Sequence, residues 1–76
     1  MEIKVLGTGC AKCKATADLI AEVAAEAGKK VEIVKVEEMR QIVGYGVMAT
    51  PAVVVAEKVV HKGSVPSRAQ ILTWLA

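Results

Sequence analysis

Met1-Glu2-Ile3-Lys4-Val5-Leu6-Gly7-Thr8-Gly9-Cys10-Ala11-Lys12-Cys13 places a CxxC pair directly after a short apolar strand and directly before a long helical pattern. Cys10 and Cys13 are the only two cysteines of the chain. In a helical turn, residues three apart share a face with Cβ atoms roughly 5 to 6 Å apart, and modest tightening reaches the roughly 3.5 to 4.5 Å of a disulfide. As a staple the pair is poor. Loop-closure entropy gives about 1.9 kcal/mol for a ring of four residues, against about 3 kcal/mol for fifteen. The spacing therefore favours chemistry at the sulfurs over mechanical reinforcement.

Toward the amino terminus, residues 2–6 read as a strand with Ile3 and Val5 on one face, and Gly7-Thr8-Gly9 reads as a flexible turn carrying Cys10. Toward the carboxyl terminus, Asp18, Glu22 and Glu26 recur every four residues as a wet face. Ile20, Val23, Ala24 and Ala27 form the opposite stripe. Gly28 ends the helix, with Lys29 and Lys30 near its negative pole. Extending the apolar stripe back through Ala17 reaches Cys13, whereas Cys10 falls at the edge of the first turn. Cys10 is expected to be accessible and close to unpaired backbone N–H groups, and Cys13 to be turned inward. The thiolate is the nucleophilic form, and a helix N-terminus favours it. Lys12 and Lys14 add positive charge nearby, Lys12 being the candidate for tuning the pKa of Cys10.

Further along, Val31 to Val36 reads as a second strand and Glu37 to Val43 as a short helix ending near Gly44. Strand, long helix, strand implies a parallel pair. Ala52-Val53-Val54-Val55-Ala56 is a β-branched run suited to burial on both faces, and Glu57-Lys58 would turn it into Val59-Val60-His61 as an antiparallel edge. Neither turn residue is Gly or Asn, so the turn is weak by composition. Ser67 followed three residues later by Gln70 is a capping box that opens a closing helix through Ile71, Leu72, Trp74 and Leu75. The expected order is βαβαββα, an α/β fold. Pro51, after Thr50, reads as a strand entrance. His61 is expected to be exposed, Trp74 to anchor the core edge, and Met39 and Met48 to fill gaps. Tyr45 either covers the core or lies near the cysteines.

Seventy-six residues are expected to form a single domain spanning 1–76. With 54% hydrophobic but only 3% aromatic residues, the core must be filled by Val, Ala, Ile and Leu. A net charge of +2, with basic residues scattered among acids, excludes a nucleic-acid footprint. The amino terminus lacks an apolar stretch long enough for a signal peptide, and no run approaches a membrane span. A cytoplasmic protein is therefore expected, and in a reducing cytosol two close cysteines suit redox chemistry or metal binding better than a permanent bridge.

A strand leading into CxxC at a helix start, Thr50-Pro51 before a strand hairpin, Gly63 and a closing helix together resemble the thioredoxin superfamily. The nearer resemblance is to the minimal redox-active disulfide proteins, which share features with glutaredoxin. It implies a thioredoxin-like three-layer fold with a four-stranded mixed sheet flanked by helices. It also implies a thiol-disulfide oxidoreductase in which Cys10 attacks and Cys13 resolves, Pro51 is cis, and the backbone of Thr50 pairs with substrate. No bound cofactor or metal is implied. Partners would be protein or small-molecule disulfides and a reductase or small thiol supplying electrons, with no nucleic acid, no membrane and a monomeric chain. Gly9 stands where typical thioredoxins have a tryptophan, Lys4 where they have a buried carboxylate six residues before the first cysteine, and Ala11-Lys12 where the relatives have Gly-Pro or Pro-Tyr. The alternative is a soft-metal carrier of the copper, zinc or mercury type using the Cys10 and Cys13 thiolates, as heavy-metal-associated domains place two cysteines at this spacing before a helix. The closing helix, the Thr-Pro pair and Thr8 in place of the usual methionine oppose it, and a closed zinc site would need four ligands.

Overall fold

Local signals in the chain lay down seven elements in the expected βαβαββα order. The computed structural model describes residues 2–7 and 11–75; Met1, Thr8, Gly9, Cys10 and Ala76 lie outside them. The elements are β1 (Glu2–Leu6), α1 (Ala11–Glu26), β2 (Glu32–Val36), α2 (Met39–Gly44), β3 (Ala52–Val55), β4 (Lys58–Lys62) and α3 (Arg68–Leu75). The sheet order is β2-β1-β3-β4, with β1 and β2 parallel and the β1–β3 and β3–β4 pairs antiparallel. This is the mixed four-stranded sheet flanked by helices that the thioredoxin resemblance implies.

The central strands β1 and β3 supply side chains to both faces, because successive residues of a strand point to opposite sides. On one face Ile3, Val5 and Val53 pack with Ala17, Ile20, Val23 and Ala24 of α1 and with Ile71 and Leu75 of α3. On the other, Leu6, Ala52 and Val54 pack with Val36, Ile42 of α2 and Val47. The burial of Cys13, Ala17, Ile20 and Val23–Ala24 realises the helical stripe, although Ala27 is exposed because α1 ends one residue earlier. Thr16 is also buried there, and its hydroxyl donates to the Lys12 carbonyl (2.8 Å), so its polar atom is satisfied within the helix.

Helix ends follow the chemistry of their residues. Gly28 has φ 68°, and the Gly28 and Lys29 N–H groups donate to the carbonyls of Ala25 and Ala24 (3.2 and 2.9 Å), a left-handed cap that satisfies the last turn of α1. At α3 the capping box forms: the Ser67 N–H donates to Gln70 Oε1 (2.9 Å) and the Gln70 N–H to Ser67 Oγ (3.2 Å). Arg68 then reaches α1, donating to Glu22 (2.8 Å) and to both carboxylate oxygens of Glu26 (3.1 and 3.0 Å).

Several expectations shift. The β3–β4 turn is centred on Ala56 and Glu57, at φ 52° and 64°, one residue before the expected pair. His61 is half-buried: its ring lies 6.1 Å from that of Trp74, and its Nε2 shares a 3.0 Å hydrogen bond with Ser64. Met39 and Met48 are not gap fillers, since both are exposed on the outer side of α2 and the following loop. No helix among the described residues is long and apolar enough to cross a membrane.

Candidate active site

The end of β1 and the first turn of α1 meet at Gly7 and Cys13. Cys13 is 6% exposed. It takes the inward position of the α1 stripe, and Cys10, its sequence partner, lies outside the described residues. Gly7 is a steric requirement here. A Cβ built on it would collide with Cys13 Sγ, sit 3.0 Å from Cys13 Cβ and lie 3.8 Å from Thr50 Cβ. The absent side chain is therefore what lets α1 and its cysteine approach the strand end.

The same contact brings in Thr50. The Thr50-Pro51 peptide bond is cis, as the resemblance implies, and Pro51 is fully buried while Thr50 is exposed. The Pro51 carbonyl accepts from the Gly63 N–H (2.9 Å), so the entrance of β3 is tied to the exit of β4. Gly63 has φ 86°, and a Cβ there would lie 3.6 Å from Ala49. The fold thus brings Cys13, Gly7 and Thr50 together from α1, β1 and the loop before β3.

Beside Cys13 opens a cleft of about 250 Å³ lined by Val5, Gly7, Cys13, Lys14, Lys35 and Glu37. Lys35 and Glu37 arrive through sheet register. Val5 pairs with Lys35 and Leu6 with Val36, and the Gly7 N–H donates to the Val36 carbonyl (2.9 Å), carrying the contact one residue beyond the end of β1. Lys14 lines this cleft, whereas Lys12 is exposed on the first turn of α1. Reading the sequence along single elements missed Lys35, Glu37 and Gly7. The available signal was parallel pairing, which sets the end of β2 against the end of β1.

Lys4 belongs to the opposite face of β1. Its Nζ donates to the Tyr45 hydroxyl (2.8 Å) and to Glu57 (3.0 Å), lies 3.8 Å from Glu2 and sits 5.5 Å from the Tyr45 ring centre. The Tyr45 hydroxyl, and then Glu57, hold the ammonium above its ordinary pKa of 10.5. Tyr45 packs against the α2-side core, so it is a cover with its hydroxyl tied down. Next to Thr50, Met39, Val43 and Met48 border a shallow apolar groove. Among the described residues no group of three or more His, Cys, Asp or Glu side chains is placed to hold a metal ion.

Comparison with known proteins bears on this arrangement. The model of the thioredoxin domain family matches residues 1–76. The chain is 36% identical over 69 residues to a thioredoxin of Methanocaldococcus jannaschii, an alignment covering 91% of this chain and 79% of that protein. It is 35% identical over 71 residues to a thioredoxin of Methanothermobacter thermautotrophicus, covering 93% and 92% of the two chains.

Proposed function

The chain belongs to the thioredoxin family, and from that premise we propose that it is a thiol-disulfide oxidoreductase with Cys10 as attacking thiol and Cys13 as resolving thiol. The observation that carries the reading is the convergence of buried Cys13, side-chain-free Gly7 and Thr50-Pro51 at one end of the sheet. A resolving thiol has to be shielded from solution and held next to the disulfide it will attack, and the burial of Cys13 fits that role. Thr50, exposed beside it, offers its backbone to a bound substrate chain.

The cycle follows from thiol exchange chemistry. The Cys10 thiolate attacks a substrate disulfide, one substrate sulfur leaves, and a mixed disulfide forms. Cys13 attacks Cys10 Sγ, releases the second substrate sulfur and leaves the 10/13 disulfide. Two electrons pass to the substrate, and a reductase or small thiol restores the dithiol. Lys12, two residues after the attacking cysteine in the motif, is proposed to favour the Cys10 thiolate through its positive charge. Protein or small-molecule disulfides would be the substrates, in cytoplasmic redox homeostasis. Among the described residues, no group of three or more His, Cys, Asp or Glu side chains favours the soft-metal carrier.

Two variants test the roles. Cys10→Ser abolishes reduction of a protein disulfide, and Cys13→Ser retains attack but accumulates mixed disulfides visible by mass spectrometry. A Cys10→Ser protein with normal turnover would overturn the proposal, as would a Cys13→Ser protein that traps nothing while Cys10 remains alkylatable. In metal-free solution the pair should show a reversible two-electron transition between roughly −200 and −280 mV, the range of thioredoxin- and glutaredoxin-type reductants.

A further inference from the structure

Resolution of the mixed disulfide requires Cys13 to lose its proton inside a buried site. An ordinary thiol with a pKa near 8.5 is only about 3% ionised at pH 7, so a nearby acceptor for that proton raises the rate directly. On β1 itself the charged side chain nearest this end, Lys4, has its ammonium committed to Tyr45 and Glu57 on the other face of the sheet.

We propose that Glu37 is the proton acceptor for Cys13 in the resolution step, a role that rests on the exchange cycle above. Glu37 and Cys13 line the same cleft of about 250 Å³. Among its described lining residues, Val5 is apolar, Gly7 has no side chain, and the ammonium groups of Lys14 and Lys35 have no acceptor lone pair. The carboxylate of Glu37 is the acceptor side chain that remains. Its position is set by the sheet, since the Gly7 N–H bond to the Val36 carbonyl holds the next residue, Glu37, level with the strand end against which Cys13 sits. A cleft of about 250 Å³ has room for a water between thiol and carboxylate, as one water occupies roughly 30 Å³. Glu37 is exposed, so the proton can also be returned to solution. Lys14 and Lys35 place positive charge at the same cleft, which favours a thiolate there.

In the step itself, the Cys13 S–H proton passes to the Glu37 carboxylate, directly or through water. The freed sulfur electron pair forms the bond to Cys10 Sγ, and the bond between Cys10 and the substrate sulfur breaks. The substrate sulfur leaves as a thiolate and takes up the proton held by Glu37. The dithiol is oxidised and the substrate disulfide reduced, with no further oxidant or reductant needed.

The test is stopped-flow reaction of the reduced protein with one equivalent of 5,5′-dithiobis(2-nitrobenzoate). Attack by Cys10 releases a first coloured thiolate and resolution by Cys13 releases a second, so the steps are read separately. Glu37→Gln leaves the first phase unchanged and slows the second at pH 7 by at least about five-fold, bounded near thirty-fold by the ionised fraction of an ordinary thiol. The gap closes by about pH 9.5, where a thiol ionises unaided. Glu37→Asp restores most of the rate, and Glu38→Gln, which removes the neighbouring charge outside the cleft, changes neither phase. An unchanged second phase in Glu37→Gln, a slowing independent of pH, or equal slowing of both phases overturns the role. If the unsubstituted protein releases a first thiolate but never a second, the exchange cycle itself fails, and the role with it.

Discussion

Gly7→Ala adds one methyl group at the point where β1 meets Cys13, and its cost can be worked from the contacts. The new Cβ would overlap Cys13 Sγ and approach Cys13 Cβ to 3.0 Å. Rotation about the Cys13 side-chain bond relieves the first clash but not the second, which demands a shift of the first turn of α1. Adding a methyl to a tightly packed site costs roughly 1 to 3 kcal/mol. The alanine also restricts the unfolded chain, returning about 0.4 to 1 kcal/mol where the backbone angles permit it. Taking the middle of both ranges, the net expectation is a loss of about 1 to 2 kcal/mol. For a domain of this size that corresponds to a fall in Tm of roughly 4 to 15 °C.

Urea unfolding in reducing buffer, with both cysteines as thiols, measures this loss, and a double-mutant cycle assigns its cause. In a Cys13→Ala background the sulfur is gone and the Cβ contact alone remains, so Gly7→Ala should cost about 0.5 to 1 kcal/mol less than in the parent. Two results refute the reasoning: a parent cost below about 0.5 kcal/mol, or a cost that is the same with and without the Cys13 sulfur.

Two further outcomes are expected. Ala56 sits at φ 52° at the β3–β4 turn, a conformation that costs an L-residue roughly 1 to 2 kcal/mol and that asparagine tolerates better. Ala56→Asn should therefore raise stability by about 0.5 to 1 kcal/mol in urea unfolding while keeping the Glu57 contact to Lys4, and no gain would mean that the turn is relaxed in solution. Lys4, held above its ordinary pKa of 10.5 by Tyr45 and Glu57, contributes stability that is fully present below that value and is lost as pH rises toward the folded-state pKa. The stability difference between the parent and Lys4→Gln should stay constant from about pH 6 to 9.5 and shrink above about 10.5, and a gap already closing near pH 8 would refute the assignment.

Much of the architecture was legible because its signals are local. The Ser67/Gln70 box, Gly28 and the β-branched run of β3 each act within a few residues, and each appears in the structure where its chemistry requires it. The β3–β4 turn resisted reading because Ala56 and Glu57 adopt left-handed angles against their own preference, the pairing of buried β3 with β4 overriding composition. Met39 misled because hydrophobicity along a six-residue helix does not say which side meets the sheet, and Ile42 takes the core position; Met48, in the loop after α2, stands outside while Val47 beside it is buried. His61 acquired a partner, Trp74, from the helix that closes the chain, a contact that edge-strand position alone cannot reveal.

The charges around Cys13 show the limit most sharply. Counting back from Cys10 along β1 reaches Lys4, but alternate residues of a strand point to opposite faces. Lys4 turns to the α2 side with Tyr45, while Val5 and Gly7 serve the α1 side where Cys13 lies. Besides Lys14 of α1 itself, the charged groups near Cys13 therefore come from β2 and the residue after it, through a register that pairs Val5 with Lys35 and a bond that holds Val36 against Gly7. A carboxylate missing from one strand of a parallel pair can be supplied at the same height by the other, provided the residue between them and the cysteine is small. Gly7 meets that condition: its missing side chain admits the Cys13 sulfur, and it lines the same cleft as Cys13 and Glu37.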